Sequence, residues 1–181
     1  MTGVIFCGGK GKRLANILPS GMPKCLLRIG GQEVWRYAEM AARVAGCSRV
    51  DIAPGPFVEY FSSHREWVVD EPKQDGALAV ASRCTNRPLA VFNGDKILFG
   101  EFEIPSTRSL AVVLGRNRVT GRSGEPVFRV VGQDAVLDGA IKLEDVKPNI
   151  VVDLSGSVSF IDVGTPQGLA FALEAAKQWC S

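Results

Sequence analysis

The sequence predicts an α/β fold, a three-layer α/β/α sandwich around a mostly parallel mixed sheet, and three observations carry that prediction. Short apolar runs bounded by turn residues recur along the chain, and several are nearly continuous, as strands buried on both faces read. Helical periodicity falls between them. The first run empties directly into a glycine-rich turn, and strands alternating with helices along one chain build a parallel sheet. With 181 residues, 46% of them apolar and 22% charged, the sequence suits one compact domain over 1–181.

Taken in order, the first strand is GVIFC (3–7). A helix is expected from Glu33 to Ala45, where Val34, Ala38, Ala41, Ala42 and Ala45 share one face and Gly46 follows as a C′ glycine. The runs RVDIA (49–53) and WVVD (67–70) read as strands, GALAVASRC (76–84) as a short helix, and LAVFN (89–93), LAVVLG (110–115), VFRVV (127–131) and VSFIDV (158–163) as further strands. Between LAVVLG and VFRVV, RNRVTGRSGEP (116–126) is a long turn-rich segment. The final helix follows Thr165, a suitable N-cap, and Pro166 at its first position, with Leu169, Ala172, Leu173 and Ala176 on one stripe. The sequence as given stops directly after it, so no further domain is expected.

Charge is locally uneven. The net charge is only +2, too small for a general nucleic-acid binder, yet Lys10, Lys12, Arg13, Lys24 and Arg28 all precede the first carboxylate, Glu33. An anionic ligand at the opening turn is the simplest partner for them. Cys7, Cys25, Cys47, Cys84 and Cys180 are odd in number and form no CxxC pair, and His64 is the one imidazole, which argues for reduced core thiols against a disulfide frame or a zinc site. No run approaches the ~20 apolar residues of a membrane span and no signal peptide is evident, so a cytoplasmic protein without membrane or nucleic-acid partners is expected.

The opening turn, CGGKGKRL, lets backbone N–H groups of Gly8, Gly9 and Gly11 approach phosphate oxygens, with Lys10, Lys12 and Arg13 adding charge. Two common phosphate loops are excluded by spacing. GxxxxGK[ST] needs a glycine where Val4 or Phe6 stands, and GxGxxG needs one where Leu14 stands. Together with PKCLLRIGG downstream, CGGKGKRL resembles the GGxGxRL…PKxLLpvxG signature of the sugar-phosphate nucleotidylyltransferases, and the spacer ANILPSGM resembles the enzymes that make GDP-heptose.

That resemblance implies a Rossmann-like nucleotidyltransferase fold of the GT-A-like kind and a magnesium-dependent reaction between a nucleoside triphosphate and a sugar 1-phosphate that releases pyrophosphate. GTP and a heptose or mannose phosphate are the favoured pair. By the same resemblance Gly8, Gly9 and Gly11 cradle the triphosphate, Arg13 holds the leaving phosphates and Lys24 meets the α-phosphate. VFNGDKI and FIDVGTPQGLAFAL are similar to the family's two metal-binding segments, making Asp95 and Asp162 the Mg²⁺ pair, a donor set that suits an ion sharing its shell with phosphates and water. Gln74 and Gly76 fall where the family wraps the base. Catalysis is then expected from Arg13, Lys24 and Asp95, by alignment and positive charge rather than by a general base.

The stretch 100–157 is shorter than in typical members and has no EKP segment, whose lysine usually meets the sugar phosphate. GEP (124–126) is its candidate remnant, and Arg116, Arg118, Arg122 or Lys142 could supply the charge. Two alternatives stand beside the main reading: a guanylyltransferase acting on a molybdenum-cofactor or cobinamide phosphate, and a catalytically silent nucleotide-binding regulator. A homodimer is a possible assembly.

Overall fold

The structure, a computed structural model, describes residues 1–19, 21–61, 81, 87–137 and 143–179. The expected strand at 67–70, the helix at 76–84 apart from the buried, helical Ala81, the base-pocket residues Gln74 and Gly76, and Lys142 lie outside the described residues.

The sheet starts from β1 (Thr2–Phe6), which pairs in parallel with β4 (Arg49–Ala53) on one side and β5 (Leu89–Asn93) on the other. Beyond β5 the direction changes. There β8 (Glu125–Val131) runs antiparallel to both β5 and β7 (Leu110–Asn117), and the far edge is closed by β10 (Ser159–Asp162), parallel to β7, and β6 (Lys96–Phe99), antiparallel to β10. A further strand, β9 (Ile150–Asp153), pairs in parallel with the first half of β7. The order is therefore β4-β1-β5-β8-β7-β10-β6, with a separate small ribbon of β2 (Arg28–Ile29) and β3 (Gln32–Glu33).

Alternation along β1 and β5 explains why their sequences read as unbroken apolar runs. Ile5, Ala90 and Phe92 pack into one cluster with Trp35, Ala38 and Ala42 of helix α1 (Val34–Val44). Val4, Leu89 and Val91 pack into another with Leu110, Val131 and Leu143 on the opposite face. Both faces of the central strands are dry, so neither parity can be polar. Trp35, absent from the expected small-residue stripe, is the largest fully buried side chain among the described residues and meets Phe61 edge-on at 5.9 Å.

A third cluster joins helix α2 (Pro166–Trp179) to the far edge of the sheet through Leu169, Ala172 and Ala176 against Ile97, Ile161 and Val163. Thr165 caps this helix as expected, accepting at its Oγ1 from the Gly168 N–H at 3.0 Å. Leu173, expected on the same stripe, is 48% exposed instead: a 100° step from Ala172 carries it out of the buried arc. The turn-rich stretch 116–126 is a hairpin rather than a long loop, since β7 extends to Asn117 and β8 begins at Glu125. Asn117 holds its ends, donating from Nδ2 to Glu125 at 2.8 Å and accepting from the Val119 N–H at 3.0 Å.

Candidate active site

Four connections converge at the carboxyl ends of β1 and β5, and each carries a polar side chain next to a buried anchor. The opening turn bends at Gly11, whose φ of +62° only glycine adopts without strain, and runs into a short 3-10 turn at Lys12–Leu14. Leu14 is fully buried in the cluster beneath α2, which pins neighbouring Arg13 beside the end of β10. Pro23 precedes a second 3-10 turn, Lys24–Leu26, in which Cys25 is buried in the main core and fixes Lys24. Lys10 and Lys12 face solvent.

Asp95 and Asp162 are brought together by strand register. Asp162 lies directly opposite Lys96 in the β10–β6 ladder, which puts Asp95, one residue before, at its side. The Val163 N–H donates to the Asp95 carbonyl at 2.9 Å, and the Gly94 N–H donates to the Phe6 carbonyl at 2.9 Å, tying the carboxylate turn to both β10 and β1. Gly164 marks the meeting point. A Cβ there would lie 2.5 Å from Asp95 Oδ2, 2.9 Å from Asp162 Oδ1 and 2.9 Å from Lys24 Nζ, so only glycine leaves the three groups room to converge.

The electrostatics follow from that crowding. Lys24 Nζ donates a short hydrogen bond to Asp95 Oδ2. Arg13 stands 3.9 Å from Asp162 Oδ2 with its side chain largely in water. Burial raises the Asp162 carboxyl above the ordinary range and the Asp95 charge adds to this, while the Gly164 N–H at 2.8 Å, Lys96 and Arg13 partly oppose it. Burial likewise pushes the Cys7 thiol well up, with Cys25 adding to it, so this cleft-lining thiol is a packing group rather than a nucleophile.

These side chains line a cleft of about 230 Å³ bounded by Phe6, Cys7, Gly9, Arg13, Lys24, Asn93, Asp95 and Asp162. Gly9 approaches Lys24 closely, its own Cβ position only 2.8 Å from Lys24 Cε. Gly8 packs instead against the Phe6 ring and Gly55, so it shapes the turn from behind. A second lobe of about 430 Å³ opens beside the first, sharing Asn93, Lys96 and Asp162 and adding Glu125, Pro126, Arg129 and Phe160.

The residues of that second lobe were not singled out in the sequence. Arg116, Arg118 and Arg122 are exposed and line neither lobe, and Arg118 lies over the Phe99 ring at 4.4 Å. The cations that do line it are Lys96, which donates to the Pro126 carbonyl and sits 4.6 Å above the Phe160 ring, and Arg129. Their signal was present: an arginine interrupts the apolar run VFRVV, and in the ladder it stands between Val91 and Val112.

Two converging carboxylates fit a magnesium ion that draws its remaining ligands from phosphates and water. Among the described residues no cluster of three or more acidic, histidine or cysteine side chains offers an all-protein cage, and no helix is long and apolar enough to cross a membrane.

No protein-family model and no curated protein matches the sequence. Solved structures do. The chain aligns over 98% of its length with a candidate glucose-1-phosphate thymidylyltransferase from Bacillus anthracis in complex with sucrose, covering 96% of that chain at 16% identity and a TM-score of 0.71. UDP-glucose pyrophosphorylase complexed with UDP-glucose gives 14% identity and a TM-score of 0.70 over 98% and 97% of the two chains. HddC from Yersinia pseudotuberculosis complexed with GMP-PN gives 16% identity and 0.67 over 96% and 98%. The chain thus has the fold of the sugar-phosphate nucleotidyltransferases along nearly its whole length.

Proposed function

We propose that the chain is a sugar 1-phosphate nucleotidylyltransferase, a single domain that joins a heptose or hexose 1-phosphate of the mannose type to a nucleoside triphosphate, GTP by preference, and releases pyrophosphate. One observation carries this reading: Gly9, Arg13, Lys24, Asp95 and Asp162, scattered over the sequence, line one cleft at the strand ends. The guanine preference rests on the ANILPSGM spacer and on a neighbour solved with GMP-PN.

In this reading the two lobes divide the substrates. Gly8, Gly9 and Gly11 shape the turn over the triphosphate, Arg13 holds the β and γ phosphates, and Lys24 turns to the α-phosphate. Gln74 and Gly76 meet the base. The acceptor enters the second lobe, where Lys96 and Arg129 hold its phosphate in place of the absent EKP lysine, and Glu125 takes a sugar hydroxyl. A magnesium ion on Asp95 and Asp162 would supply Lewis-acid charge at the α-phosphate. The acceptor phosphate is already an anionic nucleophile, so no side chain need remove a proton; the positive side chains offset the repulsion between the two substrates and align them.

A pyrophosphate-release screen of four nucleoside triphosphates against sugar 1-phosphates, with and without Mg²⁺, tests the proposal. Release with GTP and a heptose or mannose phosphate is the expected result. Release only with a pterin or corrinoid phosphate, or with phosphocholine as in the structurally similar CTP:phosphocholine cytidylyltransferase from Streptococcus pneumoniae, would reassign the acceptor. Nucleotide binding with silence across the panel would make the chain a regulator.

A further inference from the structure

Lys24 occupies one of the two carboxylates that a bridging ion would need. Its ammonium is hydrogen-bonded to Asp95, and it lies within 3 Å of the same point, the missing Cβ of Gly164, that both carboxylate oxygens approach. The pair is sheltered, with 18% of the Lys24 side chain and 12% of that of Asp95 exposed. We propose that Lys24 is the resident cation on Asp95 in the nucleotide-free protein, denying a divalent ion one of the two carboxylates, Asp95 and Asp162, until a nucleotide draws the ammonium away. The proposal rests on the reading of these two aspartates as the metal pair.

The physical reason is competition for one anionic site. A sheltered carboxylate needs a positive partner, and Asp95 already has one in Lys24. A divalent ion arriving alone must break the Lys24–Asp95 pair and leave an ammonium stranded next to a second, larger positive charge. An α-phosphate removes that obstacle because it gives the ammonium a new anion at the moment it vacates the old one. Metal and nucleotide then bind with positive coupling, and by reciprocity each raises the affinity of the other. Gly164 leaves the room for this crowding, since a side chain there would press on Asp95, Asp162 and the ammonium at once.

Mn²⁺ binding to the full chain without nucleotide, followed by the electron paramagnetic resonance signal of the free ion, reads this directly. Wild type should bind Mn²⁺ weakly, Lys24→Met should bind it at least about tenfold more tightly, and Lys24→Arg, which keeps the charge, should stay weak. Should Lys24→Met fail to fold, Lys24→Gln gives the same neutral test. The gain should vanish when Asp95→Asn is added. Tight nucleotide-free binding by wild type, or no gain in either neutral variant, overturns the proposal even if the pyrophosphate screen succeeds. A gain in Mn²⁺ affinity with silence in that screen upholds the resident cation and rejects only the assigned reaction.

Discussion

The two lobes of the cleft are built from different kinds of backbone. The first lies at the ends of parallel strands, where the connections after β1 and β5 leave the sheet and each presents several adjacent polar residues: Gly8 to Arg13, Pro23 and Lys24, Asn93 to Asp95. The second lies along antiparallel strands, where Lys96, Glu125 and Arg129 are separate positions in β6 and β8, with Ile97 beside Lys96 and Phe128 and Val130 on either side of Arg129 buried in the core. A turn concentrates its chemistry into a contiguous stretch, whereas a strand spends alternate residues on packing and spreads its chemistry thin. If the lobes also divide the substrates, variants in each should fail in different ways.

The largest effect is expected at Lys24, where the first lobe meets the reacting phosphorus. Lys24→Ala should lower turnover by 10²- to 10³-fold, about 3–4 kcal/mol of lost transition-state stabilisation, while the protein still binds nucleotide. Single-turnover kinetics beside a nucleotide titration would measure both. Near-normal turnover would remove Lys24 from the chemistry.

A smaller and more selective effect is expected at Arg129. Losing one hydrogen bond to a charged group costs ~1.5–3 kcal/mol, so Arg129→Ala should raise the acceptor KM roughly ten- to a hundredfold and leave the KM for nucleotide unmoved. An equal rise in both constants would erase the division between the lobes.

The same contrast accounts for what was legible in the sequence. CGGKGKRL, PK, NGD and DVGTP are turns, and the structure places Gly9, Arg13, Lys24, Asp95 and Asp162 around one cleft. Strands with both faces buried, β1 and β5, were recoverable because nothing interrupts their apolar runs, and β4 was recoverable although Asp51 stands in the middle of RVDIA. Three features were hidden for separate reasons. Only Gly94 and Asp95 separate β5 from β6, too short a break to mark KILF as a strand of its own. β9 lies partly in water, with Val151 58% exposed, and lacks the continuous burial that marked the others. The convergence of Asp95 and Asp162 depends on the β10–β6 register, which no local pattern encodes.

Thr165 offers a control that should touch neither lobe. It caps α2, whose buried face supports β10 from behind, so Thr165→Ala should cost about 1 kcal/mol in urea denaturation. Both KM values should stay as they were. A change in either would mean that α2 positions Asp162 actively rather than merely supporting it.

The smallest effect, and the one opposite in sign, is expected from Asp162→Asn without metal. Burial and Asp95 raise the Asp162 carboxyl in the folded state, so folding favours its protonated form. The penalty of carrying its charge is absent below the unfolded value of about 3.9, grows as pH rises through the interval up to the raised folded value, and is complete above it. The asparagine keeps an oxygen to accept from the Gly164 N–H and loses the attraction of Lys96 and a long contact to a largely solvated Arg13, both smaller than the cost of burial beside Asp95. In EDTA the variant should therefore melt above wild type at pH 7 and converge with it towards pH 3.5. Adding Mg²⁺ and nucleotide should reverse the order, because a ligand that binds only the wild-type pair stabilises only wild type. A variant that melts lower at every pH would show that the Asp162 charge is already compensated before any metal arrives.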